Sequence, residues 1–217
     1  MKRIGRTIFT FLAFFICFFS VSYAGTWGIG ITGGFPYQYS ENAISSNEVV
    51  FEDTKFDNVS PLYGGRLFYM FDDPEWAGID FSVRTHSMDI LADNESLGTL
   101  HLMPILAGFS FRGMPRKSGL MAHGGLSMGI SLNSFDKSAY LESLEFENPS
   151  FDVSVKTSFS MTFEFGLDYF FTRFAALGID AVWGVNEVPT DGWSGIDHLY
   201  IGGSTVQILL GTTVWIR

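Results

Sequence analysis

The chain is 217 residues long, carries a formal net charge of −10 at neutral pH and contains one cysteine. Its length fits a single domain, and an acidic chain without a basic cluster lacks the electrostatic footprint of a nucleic-acid-binding protein. The one cysteine, Cys17, excludes an intrachain disulfide. Because Cys17 lies in an N-terminal apolar run, a mature chain that has lost this run has no thiol chemistry.

The first 24 residues have the composition of a secretory signal peptide. A basic start precedes an apolar run over residues 8–19 and a small-residue cleavage site that ends at Ala24. We therefore expect a mature chain of residues 25–217 with a net charge of −13, because the removed segment holds three basic residues and no acidic one. The alternative is an uncleaved anchor, but the run is shorter than the ~20 residues that a membrane-spanning helix needs.

Periodicity beyond Ala24 indicates β-structure. Aromatic residues make up 17% of the chain, yet no stretch of the mature part is apolar over the length of a membrane helix. Alternation is clearest over residues 158–171, where every second residue is apolar: Phe159, Met161, Phe163, Phe165, Leu167, Tyr169 and Phe171. Since a strand places alternate residues on opposite faces, this segment predicts a strand with one apolar and one polar face.

Seven further segments bring the predicted strands to eight, and two of them, at 101–111 and 205–216, are apolar on both faces and leave their register open. The connections alternate between short turns, at 72–75, 112–119 and 172–174, and long polar segments, at 36–61, 87–98, 133–154 and 186–200. Short turns at one end and long loops at the other predict an all-β fold, an eight-stranded antiparallel up-and-down transmembrane β-barrel of the Gram-negative outer membrane.

Two features favour a membrane barrel over a soluble lipocalin-like one, which also has eight strands. The predicted outward faces are apolar over about 9 to 11 residues, the length of a tilted membrane-spanning strand. Aromatic residues also gather near the short turns, as an interfacial girdle would: Trp27, Phe71, Trp76, Phe171 and Trp215. The sequence therefore predicts a porin-like barrel in the cell outer membrane, expected to be a monomer in contact with outer-membrane lipid.

The segment Phe163-Glu164-Phe165-Gly166-Leu167-Asp168-Tyr169-Phe170-Phe171-Thr172 resembles a strand and turn of the outer membrane protein W family. His101-Leu102-Met103-Pro104, followed by Gly108, is similar to the fourth strand of that family. The chain departs from such barrels at its end, where Trp215 is followed by Ile216 and Arg217 rather than by a terminal aromatic residue. The resemblance implies a narrow, mostly hydrophobic channel for small apolar molecules. We expect no cofactor.

Charged residues on the predicted inner face form two approximate layers. Measured from the short turns, the lower layer holds Arg66, Asp80, Asp168 and Asp180, and the upper layer holds Arg84 and Glu164. The spacing also allows Asp168 and Asp180 to be cross-strand neighbours. Pairing of these charges would stabilise a narrow lumen. The alternative is a salt-bridge gate whose rearrangement opens a pore.

The four long loops hold sixteen acidic residues against only Lys55 and Lys137. A requirement for solubility is one explanation of this imbalance. The alternative hypothesis is that divalent cations bridge the loop carboxylates to lipid phosphates. A second function is binding of a partner outside the cell through loop segments such as 146–151 and 193–200.

An enzyme, such as a lipid A-modifying barrel, is not expected. Activation of a serine needs a histidine within hydrogen-bond reach. His86 and Ser87 point to opposite faces, and His123 and Ser127 lie about 13 Å apart along one strand face. The sequence therefore favours a narrow channel or membrane-stabilising barrel without a catalytic or metal site.

Overall fold

Alternating apolar and polar residues build long strands over most of the mature chain. The computed structural model describes residues 25–38, 44–46, 55–57, 59–71, 76–92, 94–113, 119–147, 151–193 and 199–216. The predicted signal peptide, residues 1–24, lies outside these ranges. The elements in chain order are β1 (Gly25–Gln38), β2 (Ile44–Ser46), β3 (Lys55–Asp57), β4 (Leu62–Phe71), β5 (Ala77–Ala92), β6 (Glu95–Arg112), β7 (Leu120–Lys137), α1 (Ala139–Glu147), β8 (Phe151–Val155), β9 (Ser158–Phe170), β10 (Ala175–Trp193) and β11 (Leu199–Ile216).

Eight of these strands close into a ring. Their order is β1-β4-β5-β6-β7-β9-β10-β11, with each strand antiparallel to the next. The last strand returns to the first, from Trp27↔Ile216 to Gln38↔Thr205. Closure pairs backbone groups within the wall, as a lipid environment requires. The predicted eight-stranded up-and-down barrel is confirmed.

Burial shows which residues face inward on the two strands whose register the sequence left open, β6 and β11. On β6, Leu100, Leu102 and Leu106 are buried inside the ring, while Phe109 and Phe111 face outward. On β11, Gln207 and Leu209 are buried, whereas Ile208 and Leu210 are exposed. An apolar face inside the barrel as well as outside explains why alternation alone could not orient these strands.

The prediction of long loops is partly wrong, because several strands extend into the segments that were predicted as loops, at the end of the barrel opposite the short turns. We call the end with the short turns the short-turn end and the opposite one the outer end. Residues 87–98, predicted as a loop, belong almost entirely to the β5–β6 hairpin, which pairs up to Ala92↔Glu95. The segment 133–154 likewise contains the end of β7, the helix α1 and most of β8.

An apolar cluster fills the outer end beside this extended hairpin. Its buried members, which we call the outer cluster, are Met88, Ile90, Ala92, Leu97, Leu100, Leu102 and Leu141. Leu141 comes from α1, which begins after Ser138, whose hydroxyl caps the helix by accepting from the Leu141 N–H. Neither α1 nor any other helix among the described residues is long and apolar enough to cross a membrane.

Candidate functional site in the barrel interior

All six charged residues predicted to face the lumen lie inside the ring, with their side chains shielded from solvent. They are Arg66 on β4, Asp80 and Arg84 on β5, Glu164 and Asp168 on β9, and Asp180 on β10. These residues alternate with apolar residues that face outward, and this alternation fixes the register of the strands. A slip of one residue would move every charged side chain to the outer, apolar face of the wall.

Arg66 links residues that the sequence assigned to different layers. Its Nη2 lies 3.1 Å from Asp80 Oδ2, and its Nη1 pairs with Glu164 Oε1. Arg84 donates from Nη2 to the other oxygen of Glu164, at 2.7 Å. The long guanidinium side chain of Arg66 therefore joins the two predicted layers into one ion-pair network.

Arg112 belongs to this network, although the sequence placed it in a turn. It is the last residue of β6, is buried, and its Nη1 lies 3.0 Å from Asp168 Oδ2. The available signal was its spacing of two from Ser110, which also faces inward. The strand is longer than the apolar run that marks it, because its last inward position is charged.

His123 on β7 joins two of the predicted carboxylates. Its Nε2 lies 2.6 Å from Asp180 Oδ1, and its Nδ1 lies 3.2 Å from Asp168 Oδ2. Asp168 and Asp180 are not directly opposite each other, since Asp168 pairs in register with Gly178 and Asp180 with Gly166. The imidazole fills the space between them, where Gly166 carries no side chain to exclude it.

An apolar floor closes the lumen on the short-turn side of the network. Phe68, Met70 and Met121 are all buried there. The Arg112 guanidinium lies 4.1 Å from the centroid of the Phe68 ring, a cation–π contact. The interior thus has two successive barriers, the ion-pair network and the floor beneath it.

Among the described residues, the wall is incomplete at the outer end of β4, which is shorter than its neighbours β1 and β5. Pairing between β1 and β4 ends at Gly34↔Leu62, whereas β1 continues along β11 to Gln38. The chain before Leu62 follows β5 instead, since the Ser60 N–H donates to the Ser87 carbonyl at 2.8 Å and Asp57 pairs with Asp89. We call the boundary between β1 beyond Gly34 and residues 55–61 the seam.

Apolar side chains lie on both sides of this seam. Outside the wall is a groove of about 870 Å³, lined by residues that include Phe35, Pro36, Tyr37, Pro61, Tyr63 and Ile208. Inside, Leu62 packs with Val182 and Leu209 in a fully buried cluster. Pro61 has no N–H to offer a neighbouring strand, so the sequence itself opposes pairing across the seam.

In neither of the two pairs considered for catalysis, His86 with Ser87 and His123 with Ser127, does the structure show a hydrogen bond between the histidine and the serine. The Ser127 hydroxyl donates to Asp80 Oδ1 at 2.9 Å, and the ring of His123 contacts carboxylates. His86 is buried inside the wall, and the Ser87 N–H donates to the Ser60 hydroxyl. His123, Glu164 and Asp180 lie close enough to hold a metal ion. However, Glu164 already pairs with two arginines, and neighbouring guanidinium charges oppose cation binding.

The predicted aromatic girdle residues lie at the short-turn end. Trp27 packs on Tyr69 with ring centroids 4.7 Å apart, and Tyr69 contacts Phe71. Trp76 stacks on Phe111 at 5.7 Å, and Phe171 is exposed. The backbone of Trp215 is paired opposite Gly28, near the same end. These positions agree with an interfacial belt, whose role stays a prediction.

Similarity to known proteins is found at the level of structure. No family model and no curated protein matches the sequence. Outer membrane protein OprG from Pseudomonas aeruginosa superposes with a TM-score of 0.65 at 17% identity, over 89% of this chain and 97% of that one. Outer membrane protein AlkL gives 0.58 at 14% identity, over 89% and 91% of the two chains. The Escherichia coli outer membrane protein W gives 0.50 at 14% identity, over 88% and 98%. The chain therefore has the fold of the eight-stranded outer-membrane barrels that include outer membrane protein W.

Proposed function

We propose that this chain is an outer-membrane barrel that lets small apolar molecules pass from outside the cell, sideways through the seam, into the surrounding lipid. The observation that carries the proposal is the seam at the outer end of β4, with an apolar groove outside it and the buried Leu62 inside. The outer-membrane location is supported by the closed ring and by the exposed apolar wall, for example Ile29, Phe165 and Leu210.

A sideways route suits this interior better than a straight one. Beneath the seam, the ion-pair network and the apolar floor obstruct the lumen, and an apolar solute would have to displace buried, paired charges to cross it. The route past Leu62 is lined mainly by apolar side chains, with Val182 and Leu209 inside and Phe35 and Ile208 in the groove. Its desolvation cost is therefore lower than that of crossing the paired charges.

The environment of the barrel follows from the same features. Over the part of the ring in which all eight strands are paired, the wall leaves no strand edge to recruit a second copy, which supports a monomer surrounded by outer-membrane lipid. We also propose that divalent cations link the acidic outer segments to lipid phosphates. The second candidate function is binding of a partner outside the cell through these segments, and the 87% exposure of Phe146 on α1 favours it.

Truncation of Leu62 tests the proposed route. The refolded mature chain is placed in vesicles with lipopolysaccharide in the outer leaflet, and uptake of the apolar dye N-phenylnaphthylamine is followed by fluorescence. We expect faster uptake than in empty vesicles, and several-fold faster uptake with Leu62→Ala, because the variant removes apolar bulk between lumen and seam. Leu106→Ala is the matched control, since Leu106 is equally buried but lies on β6, two strands from β4. Equal rates for both variants and wild type would contradict the route.

A further inference from the structure

Unpaired polar atoms gather inside the barrel between the ion-pair network and the outer cluster. Within the described chain, one buried acceptor there, Asn133 Oδ1, has no hydrogen-bond partner. Three further residues carry buried, unpartnered atoms that can donate: Arg84 (Nη1), His86 (Nδ1 and Nε2) and Ser131 (Oγ). The relative exposure of these three residues is 5%, 5% and 0%. A buried polar group without a partner costs about 1–3 kcal/mol, so such a group calls for a water molecule or ligand.

Strand register places these groups beside the seam. The outermost residue pair of β4 and β5 is Tyr63↔Thr85, so the same register brings Leu62 opposite His86. On the other side, His86 pairs with Leu102, which pairs with Asn133 on β7, two residues beyond Ser131. His86 therefore lies between the seam residue Leu62 and the part of β7 that carries Ser131.

The donors among the unpaired atoms, on Arg84, His86 and Ser131, call for an acceptor. Arg84 Nη1 can only donate, the Ser131 hydroxyl can donate, and a histidine ring offers at least one N–H. Arg84 already contacts the Glu164 carboxylate through Nη2, and both Glu164 oxygens are engaged by Arg66 and Arg84. An incoming carboxylate would accept from these donors and form charge-assisted hydrogen bonds.

On the side toward the outer cluster, the unpaired atoms are followed mainly by apolar side chains, whereas Ser131 itself lies opposite Ser158. Further out on the inward face of β5 lie Met88 and Ile90, and Leu100 and Leu102 face inward from β6. Leu62 packs on the seam side with Val182 and Leu209. A molecule with a polar head at the donors would therefore have its remaining surface next to apolar side chains.

We propose that Arg84, His86 and Ser131 form a binding site for the carboxylate of small amphipathic acids, whose apolar part lies toward Leu62 and the seam. This inference rests on the proposed function, because it names the class of molecule that uses the route. The site retains an acid by its head group, and the seam accommodates the tail.

Binding of hexanoate tests this site, with hexanol as the neutral analogue of equal chain length. Titration calorimetry uses the refolded mature chain in phospholipid nanodiscs, with empty nanodiscs as the blank. We expect hexanoate to bind about tenfold more tightly than hexanol, as hydrogen bonds to a charged group predict. Ser131→Ala and His86→Gln should each weaken hexanoate binding several-fold and leave hexanol unchanged.

Ser110→Ala is the matched control, because Ser110 is also buried but lies near the floor, where its hydroxyl contacts Met70 Sδ. This variant should bind hexanoate like wild type. Equal affinity for the two probes, or hexanoate binding unaffected by Ser131→Ala in a correctly folded barrel, would overturn the site and leave water as the partner of these atoms. Dye uptake that still depends on Leu62 would then show that the seam route survives without the acid site, since N-phenylnaphthylamine has no carboxylate.

Discussion

The Arg84 guanidinium on β5 reaches across the lumen to Glu164 on β9, where its Nη2 lies 2.7 Å from Oε2. Two strands, β6 and β7, separate these residues along the wall. The contact therefore ties together strands that share no backbone hydrogen bonds in the ring. Because Arg66 engages the other oxygen of Glu164, this carboxylate is the point at which the interior network is joined.

Removal of the Glu164 charge should cost more stability than removal of Arg84. Glu164→Gln leaves two buried guanidiniums facing a neutral amide, and breaking a buried pair costs about 3–5 kcal/mol. Arg84→Met leaves Glu164 its contact with Arg66, so we expect a smaller loss. Unfolding by urea in phospholipid vesicles measures both free energies.

Lys137→Met is the control for this comparison. Lys137 at the end of β7 pairs with Glu145 on α1 at 2.8 Å, with both side chains partly exposed, and such pairs contribute about 0–1 kcal/mol. A loss for Glu164→Gln as small as that for Lys137→Met would show that the network does not stabilise the barrel.

Ion conduction requires removal of two barriers in series. The refolded wild-type chain should give no discrete openings in a planar bilayer, since the network and the floor both fill the lumen. Glu164→Ala alone should stay silent, because Phe68 is still buried beneath the network. The double variant Glu164→Ala/Phe68→Ala should give openings. Clear openings with Glu164→Ala alone would favour the salt-bridge gate over a structural network.

The sequence was sufficient to predict the fold because the wall imposes a period of two on nearly every strand. The same period put Arg66, Asp80 and Glu164 on the inner face. It could not give their partners, since a guanidinium side chain reaches past its own layer, as the contacts of Arg66 with Asp80 and Glu164 demonstrate.

Strand ends were harder to predict than strand centres. At Arg112 and in the outer half of β5, the outward residues are no longer consistently apolar. The charged or mixed sequence of these strand ends was therefore predicted as a turn or a loop. The predicted loop 36–61 ends where β4 begins, at Leu62. The seam itself left no sequence signal except Pro61, because pairing is a property of two strands and the sequence pattern describes only one.

The effects of substituting His123 and Asp180 on the free energy of unfolding should be strongly coupled. His123→Leu removes the ring that lies 2.6 Å from Asp180 Oδ1 and leaves this carboxylate buried without that partner, whereas Asp168 keeps Arg112. Each single change to leucine should therefore be costly, but the double variant His123→Leu/Asp180→Leu should cost less than the sum of the two. Urea unfolding of the four chains gives a coupling energy, expected at about 1–3 kcal/mol. Additive losses would mean that the contact carries no net interaction.

Arginine substitutions on the outer wall test whether lipid surrounds the barrel. Phe165 lies near the middle of β9 and is 71% exposed on the outward face, whereas Phe171 follows the end of that strand, in the predicted aromatic girdle. Arginine at the bilayer midplane costs about 2–4 kcal/mol, and near the interface about 0–1 kcal/mol. Phe165→Arg should therefore reduce the free energy of unfolding in phospholipid vesicles by clearly more than Phe171→Arg. Both substitutions remove an exposed aromatic ring and add the same charge, so the difference between them reports depth alone. Equal, small losses would indicate that water rather than hydrocarbon contacts the middle of the wall.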